Sequence, residues 1–135
     1  MSATYVLQKA MRGALLAHEP LTAIIGTKIF DAVPQATAPP YVVFDRIETR
    51  DWSTKDRRGF EHVVTLHVWS AHEGKAEAYE IIAQLDAALD NQALVLDGHH
   101  LVSLSSVFWT ALRTPDGRFH HGILRLRATT EETDT

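Results

Sequence analysis

The chain has 135 residues, 45% of them hydrophobic and 22% charged, with a formal net charge of −4. That length suits one domain able to bury roughly two-thirds of the surface its unfolded chain exposes, and the negative balance argues against bulk attraction to nucleic acid. With no cysteine, disulfides and thiolate zinc sites are excluded; no run approaches the roughly 18 apolar residues of a membrane span, and Lys9 and Arg12 interrupt what would have to be a signal-peptide core.

In chain order, the spacing of Leu7, Ala10, Met11, Ala14 and Leu15 predicts a helix over 2–18 with Ser2 as its cap. "PLTAIIG" predicts a short helical turn that starts at Pro20 and stops at Gly26 in the left-handed region. "KIFDAVP" reads as a brief strand, and Pro39-Pro40 keeps the next stretch out of a sheet interior. Strands follow over 41–49 and about 60–70. Ser70 and Glu73 fit a capping box, and Ala78, Ile81, Ile82, Leu85, Ala88 and Leu89 give a buried stripe, so a helix is expected over 71–90. "DNQALVLDG" reads as a connector. "HHLVSLSSVFWTALR" and "FHHGILRLRAT" are strands joined around "TPDG", a turn composition. This order predicts an α+β domain over 1–130, a mostly antiparallel sheet of about four to five strands with two helices packed on one face. The acidic end, 131–135, is expected to be a frayed tail.

The strand at 60–70 carries two apolar sets. Val64, Leu66 and Val68 suit the helix-covered face; Val63, Thr65, His67 and Trp69 point the other way. With a hairpin loop at 113–117, Ser103, Ser105, Val107 and Trp109 fall opposite Arg127, Arg125, Ile123 and His121 on that second face. Such a face is too apolar for a monomer to expose, and aromatic rings with arginines are the side chains enriched at protein interfaces. His67, Trp69, Trp109, His121, Ile123, Arg125 and Arg127 are therefore the candidate subunit interface.

Eight histidines raise a metal or catalytic reading. Neighbours in a strand point to opposite faces, so neither His99-His100 nor His120-His121 chelates as a pair, and the two pairs lie roughly 30 Å apart along the hairpin. "HE" at 18 and 72 has no second histidine four residues on. His67, expected to be the enclosed histidine, suits a hydrogen-bonded subunit contact better than a general base, because no nucleophile or carboxylate partner is identifiable. Phosphate loops and nucleophile elbows are absent, so no enzyme, cofactor or metal site is expected.

The loop from Arg50 to Gly59 sets Arg50, Lys55, Arg57 and Arg58 against Asp51 and Asp56, with Trp52 among them. It reads either as a solvated hairpin tip or as an arm whose tryptophan and basic groups meet a partner or a lumen.

The succession "IFDAVPQ", "PPYVVF", "DWSTK" and "LHVWS", followed by "LDGHHLVSLSSVFWTALRTPDGRFHHGILRLRATTE", resembles the tail-completion or tail-terminator family of long-tailed phages and gene transfer agents over almost the whole chain. The resemblance implies a homo-oligomeric ring, commonly a hexamer, at the head-proximal end of the tail tube. Its partners would be the tail-tube protein and the head connector or stopper, with transient passage of DNA through the ring and no membrane. It implies a place at the neck of a virion or gene transfer agent particle, assembly in the host cytoplasm, and no turnover. The alternative is a small-ligand-binding regulatory α+β domain, which would need a pocket of converging polar groups; a histidine-dependent hydrolase is a third reading.

Overall fold

A computed structural model describes residues 2–71 and 74–133. The elements are α1 (Ala3–Leu16), α2 (Glu19–Ile25), β1 (Ile29–Phe30), β2 (Tyr41–Asp51), β3 (Gly59–Ser70), α3 (Ala76–Leu89), β4 (Val95–Leu96), β5 (His99–Arg113) and β6 (His120–Glu132). They form one six-stranded sheet in the order β1-β2-β3-β6-β5-β4, with all pairings antiparallel except β1 with β2.

The α+β class is as expected; the details differ. There are three helices, since α2 is a full element, and six strands, since β4 exists. The signal for β4 is the Asp97-Gly98 dipeptide between two apolar runs. Gly98 takes φ 74°, and the two-residue turn sets Val95 against His100 and Leu96 against His99, which is the hairpin chemistry of such a pair. Gly26 does stop α2, but at φ 63° and ψ −133°, a backbone region open almost only to glycine rather than the left-handed helical one.

α1 starts as its sequence predicts, with Ser2 Oγ accepting from the Tyr5 N–H at 3.1 Å. The start of α3 does not. Ser70 is paired with His120 as the last residue of β3. The helix begins five residues later than expected, at Ala76 after Lys75, and Ser70 Oγ donates to Glu77 Oε1 at 2.7 Å. Glu73, the other half of the expected box, lies outside the described residues. At the far end of the chain, Glu131 and Glu132 continue β6 rather than fray, and the Glu132 N–H donates to the Arg58 carbonyl at 2.9 Å.

The core lies between the helices and one sheet face. Leu7, Met11 and Leu15 of α1, Leu21 and Ile25 of α2, and Ile81, Leu85 and Leu89 of α3 meet Val64, Leu66, Val68, Leu124 and Leu126. α3 approaches the sheet closely at Gly122, where an added Cβ would lie 3.0 Å from Ile82 Cδ1 and 3.2 Å from Val68 Cβ. Leu66 is fully buried at the centre. Leu66→Ala should lower the unfolding free energy by about 2–5 kcal/mol, the range for a leucine cavity. Urea denaturation with an unchanged slope would show it, and a loss below about 1 kcal/mol would mean the core relaxes around the gap.

Candidate interaction face

The ladder between β3 and β6 runs from Gly59–Glu131 to Ser70–His120 without a register shift. Because opposite residues share a face, the helix side receives Val64, Leu66 and Val68 with Leu126, Leu124 and Gly122. The outer side receives Val63, Thr65, His67 and Trp69 with Arg127, Arg125, Ile123 and His121. Six of the seven expected interface residues therefore do share one face.

Trp109 does not. The hairpin loop spans 114–119, closed by the Thr114 N–H to the Phe119 carbonyl at 2.9 Å, and Arg113 pairs with His120. Register shifts between Leu101 and Ser103 and between Ser106 and Phe108 then leave an extra residue on β5 at each place. Trp109 lies opposite Leu124 on the helix side, where 56% of it is exposed. Phe108 takes the outer position opposite Arg125, whose guanidinium sits 5.1 Å from its ring centre. Val107 and Leu112 are exposed as well, so the end of the β5–β6 hairpin is apolar on both sides. A bulge has no side-chain signature that would have shown this shift.

On the outer face the aromatic rings are organised. Trp69 stacks on His121 at 4.2 Å and 4° between planes, and His121 stacks on His67 at 4.5 Å. His67 Nδ1 and His121 Nε2 are hydrogen-bonded, and His67 Nε2 lies 3.3 Å from Asp45 Oδ2. Asp45 is the extra residue of the β2 bulge between Phe44 and Arg46, which is what aims it at His67. Burial, then the neighbouring His67, push the His121 pKa down, while Asp45 opposes them. Beside Trp69, a recess of about 210 Å³ is lined by Thr37, Pro39, Tyr41 and Phe119.

At the other end of this face Glu61, nearly buried, is clasped by two arginines. Arg127 Nε donates to Oε2 at 2.7 Å, with Arg127 Nη2 on the same oxygen, and Arg50 holds Oε1. Hydrogen bonding from Arg127 is the largest cause that holds the Glu61 carboxyl below the usual carboxylate range. Arg50 and Arg127 are thus tied within the chain, and Arg50 belongs to β2 rather than to the loop.

The loop itself is folded back. The Trp52 N–H donates to the Gly59 carbonyl at 2.8 Å, the Thr54 N–H to the Arg57 carbonyl at 2.9 Å, and Ser53 Oγ accepts from the Gly59 N–H at 3.1 Å. Gly59 is required here, because a Cβ would lie 2.8 Å from the Trp52 carbonyl oxygen. Arg57 donates to the Glu132 carbonyl at 3.2 Å, and Arg58 covers the Phe60 ring at 5.1 Å. Trp52 remains 40% exposed, and Lys55 is at the exposed tip.

His120 is buried as well, but the fully enclosed histidine is His62, not His67. It lies on the helix face with Val64, Leu66 and Val68, a period-two position that would have marked it. Thr49 Oγ1 and Thr130 Oγ1 bond its two ring nitrogens at 2.8 Å each. Burial first, then His99, push its pKa down to about 4, against a smaller opposing effect of Glu61. Among the described residues no group of three or more His, Asp or Glu could hold a metal ion, and no helix is long and apolar enough to cross a membrane.

The unfolded chain, with His62 near 6.5, binds a proton that the folded chain releases until about pH 4. Stability should therefore be full above pH 6.5 and fall as the pH drops towards 4. His121 adds in the same direction, and Glu61 adds a further loss below about pH 4.5. Thermal melts across pH 4–7 should show a lower midpoint at each step down, with a shallower slope in His62→Gln. An unchanged slope in that variant would remove His62 as the cause.

Residues 9–131 match the family described as "Tail completion protein gp17". No curated protein sequence matches the chain. Among solved structures, a chain of the "Virion of native gene transfer agent (GTA) particle" is 30% identical and superposes with a TM-score of 0.90, over 96% of this chain and 98% of its own. The bacteriophage SPP1 gp17 protein is 25% identical with a TM-score of 0.64, over 94% of this chain and 90% of its own. A third chain, 15% identical with a TM-score of 0.57, shares the fold over the full length of this chain.

Proposed function

The chain belongs to the gp17 family of tail-completion proteins, and from that premise we propose that it is a structural subunit of a ring that ends the tail tube and joins it to the head connector. The observation that carries this reading is the near-complete likeness to a chain of a native gene transfer agent virion. The ring is commonly six-fold in this family, its opening passes the genome, and it sits at the neck of the particle after assembly in the host cytoplasm. It requires no cofactor and performs no turnover.

The chain's surfaces support this assignment. His67, Trp69 and His121 form a half-buried stack on a sheet face; with Ile123 and Arg125 it offers a flat apolar and basic surface to a neighbouring subunit. Trp109 meets a neighbour at the hairpin end, away from that stack. Arg127 and Arg50 shape the face through Glu61. Trp52, Lys55, Arg57 and Arg58 make the loop that faces the tube, the connector or the lumen, with Trp52 as the anchor.

Deleting the gene in a producing strain should leave heads and tails unjoined in negative-stain micrographs, and the wild-type chain should restore joined particles. Normal particles without the chain would end this reading. Lys55→Glu should keep the melting temperature and lower the yield of joined particles roughly tenfold, the equivalent of about 1.4 kcal/mol in docking. An unchanged yield would remove the loop from the contact.

A further inference from the structure

We propose that the free outer half of the β5 edge, Val107–Arg113, accepts the free edge of β2 from a second copy of this chain as an added antiparallel strand. This rests on the ring reading and names the backbone contact that would close it. β4 covers only His99 and His100 of the β5 edge. Next along, the end of α3 shuts it. The Asn91 N–H donates to the Leu104 carbonyl at 2.8 Å, and Asp90 Oδ1 accepts from the Ser106 N–H at 2.8 Å. Beyond Ser106, among the described residues, no strand pairs with this edge.

Those two contacts also fix which backbone groups point outward, because residues of an antiparallel strand alternate between its two neighbours. Leu104 and Ser106 point outward. After the bulge at Val107 they are succeeded by Trp109, Ala111 and Arg113, opposite Leu124, Gly122 and His120. The N–H and C=O groups of these three residues are flanked by exposed Val107, Phe108 and Leu112. An apolar unpaired edge of this kind is one that stable monomers blunt.

β2 supplies the complement. The Trp52 N–H to Gly59 carbonyl bond marks an inward pair, so Arg50, Glu48 and Arg46 bond inward to β3 and Ile47, Thr49 and Asp51 point outward. Pairing with β1 stops at Val43, which leaves 45–51 free, as long as the free part of β5. The outward residues of both strands lie on the helix face. Set opposite one another, they continue the sheet with every helix on the same side. Three antiparallel pairings separate β2 from β5, so the two run in opposite directions. Rotation about an axis along the strands therefore brings them together antiparallel, and repetition closes head to tail. With Ala111 opposite Thr49 of the second copy, exposed Phe108 falls beside exposed Trp52 on the outer face.

Amide hydrogen exchange on the full chain, free and in rings assembled with the tail-tube protein, tests this. The amides of Trp109, Ala111, Arg113, Ile47, Thr49 and Asp51 should exchange at least about tenfold more slowly in the ring. Ala111→Pro removes an outward donor without breaking the pairing to β6 and should abolish ring formation. If it fails to fold, Phe108→Lys, a charge on the edge strand, decides by the same loss with unchanged circular dichroism. Rings in which these amides still exchange freely, or in which either variant assembles normally, would overturn the edge pairing and leave the ring reading standing. Protection on β5 alone, in a dimer, would overturn it in favour of two β5 edges meeting. A chain that forms no ring with its tube overturns both.

Discussion

The twelve paired positions between β3 and β6 have no register shift, and the separation of the core from the outer face depends on that. Side chains of an unbroken ladder keep strict alternation, so one run of residues feeds the core and the next feeds the outer face with no mixing. The neighbouring ladders, β2–β3 and β5–β6, both contain bulges. The centre of the sheet is regular where it carries the helices, and the flanks are irregular where they place Asp45 against His67 and turn Trp109 away from the arginines.

The outer face is consequently neither a core nor an ordinary wet surface. At one end, two arginines neutralise a nearly buried carboxylate, which orders three long side chains across β2, β3 and β6. At the other end, an indole and two imidazoles stack into a continuous plate. Pre-ordering of this kind lowers the entropy that a later contact must overcome. Basic character is smaller than the sequence suggests, since Glu61 offsets one of the two charges of Arg50 and Arg127, and Arg57 and Arg58 lie 3.9 Å from Glu131 and 4.0 Å from Asp51.

Much of the fold was legible because it rests on periodicity. The stripe of α1, the stripe of α3 and the two sets of β3 are read directly from spacing, and the central pairing keeps those faces. The site was legible only in part. Six candidate interface residues fell together because β3 and β6 are regular; Trp109 was misplaced because a bulge shifts the face without changing composition. Glu61 and Asp45 were passed over because an acidic residue in a strand looks like solvent-facing chemistry until its arginine or histidine partner is known. The helix start was missed because the strand runs on to Ser70 and the first helical residue is Ala76, after Gly74 at φ 74°.

α3 also works as a ruler. Its last turn delivers Asp90 and Asn91 to the β5 margin, where they occupy the backbone groups of Ser106 and Leu104. One more helical turn would carry that stopper about 5.4 Å further, which is between one and two residues of strand rise, at about 3.3 Å each. The length of a helix on one side of the molecule thereby sets how much of the hairpin tip is left bare on its rim, and so how wide a seam any neighbour can share with it.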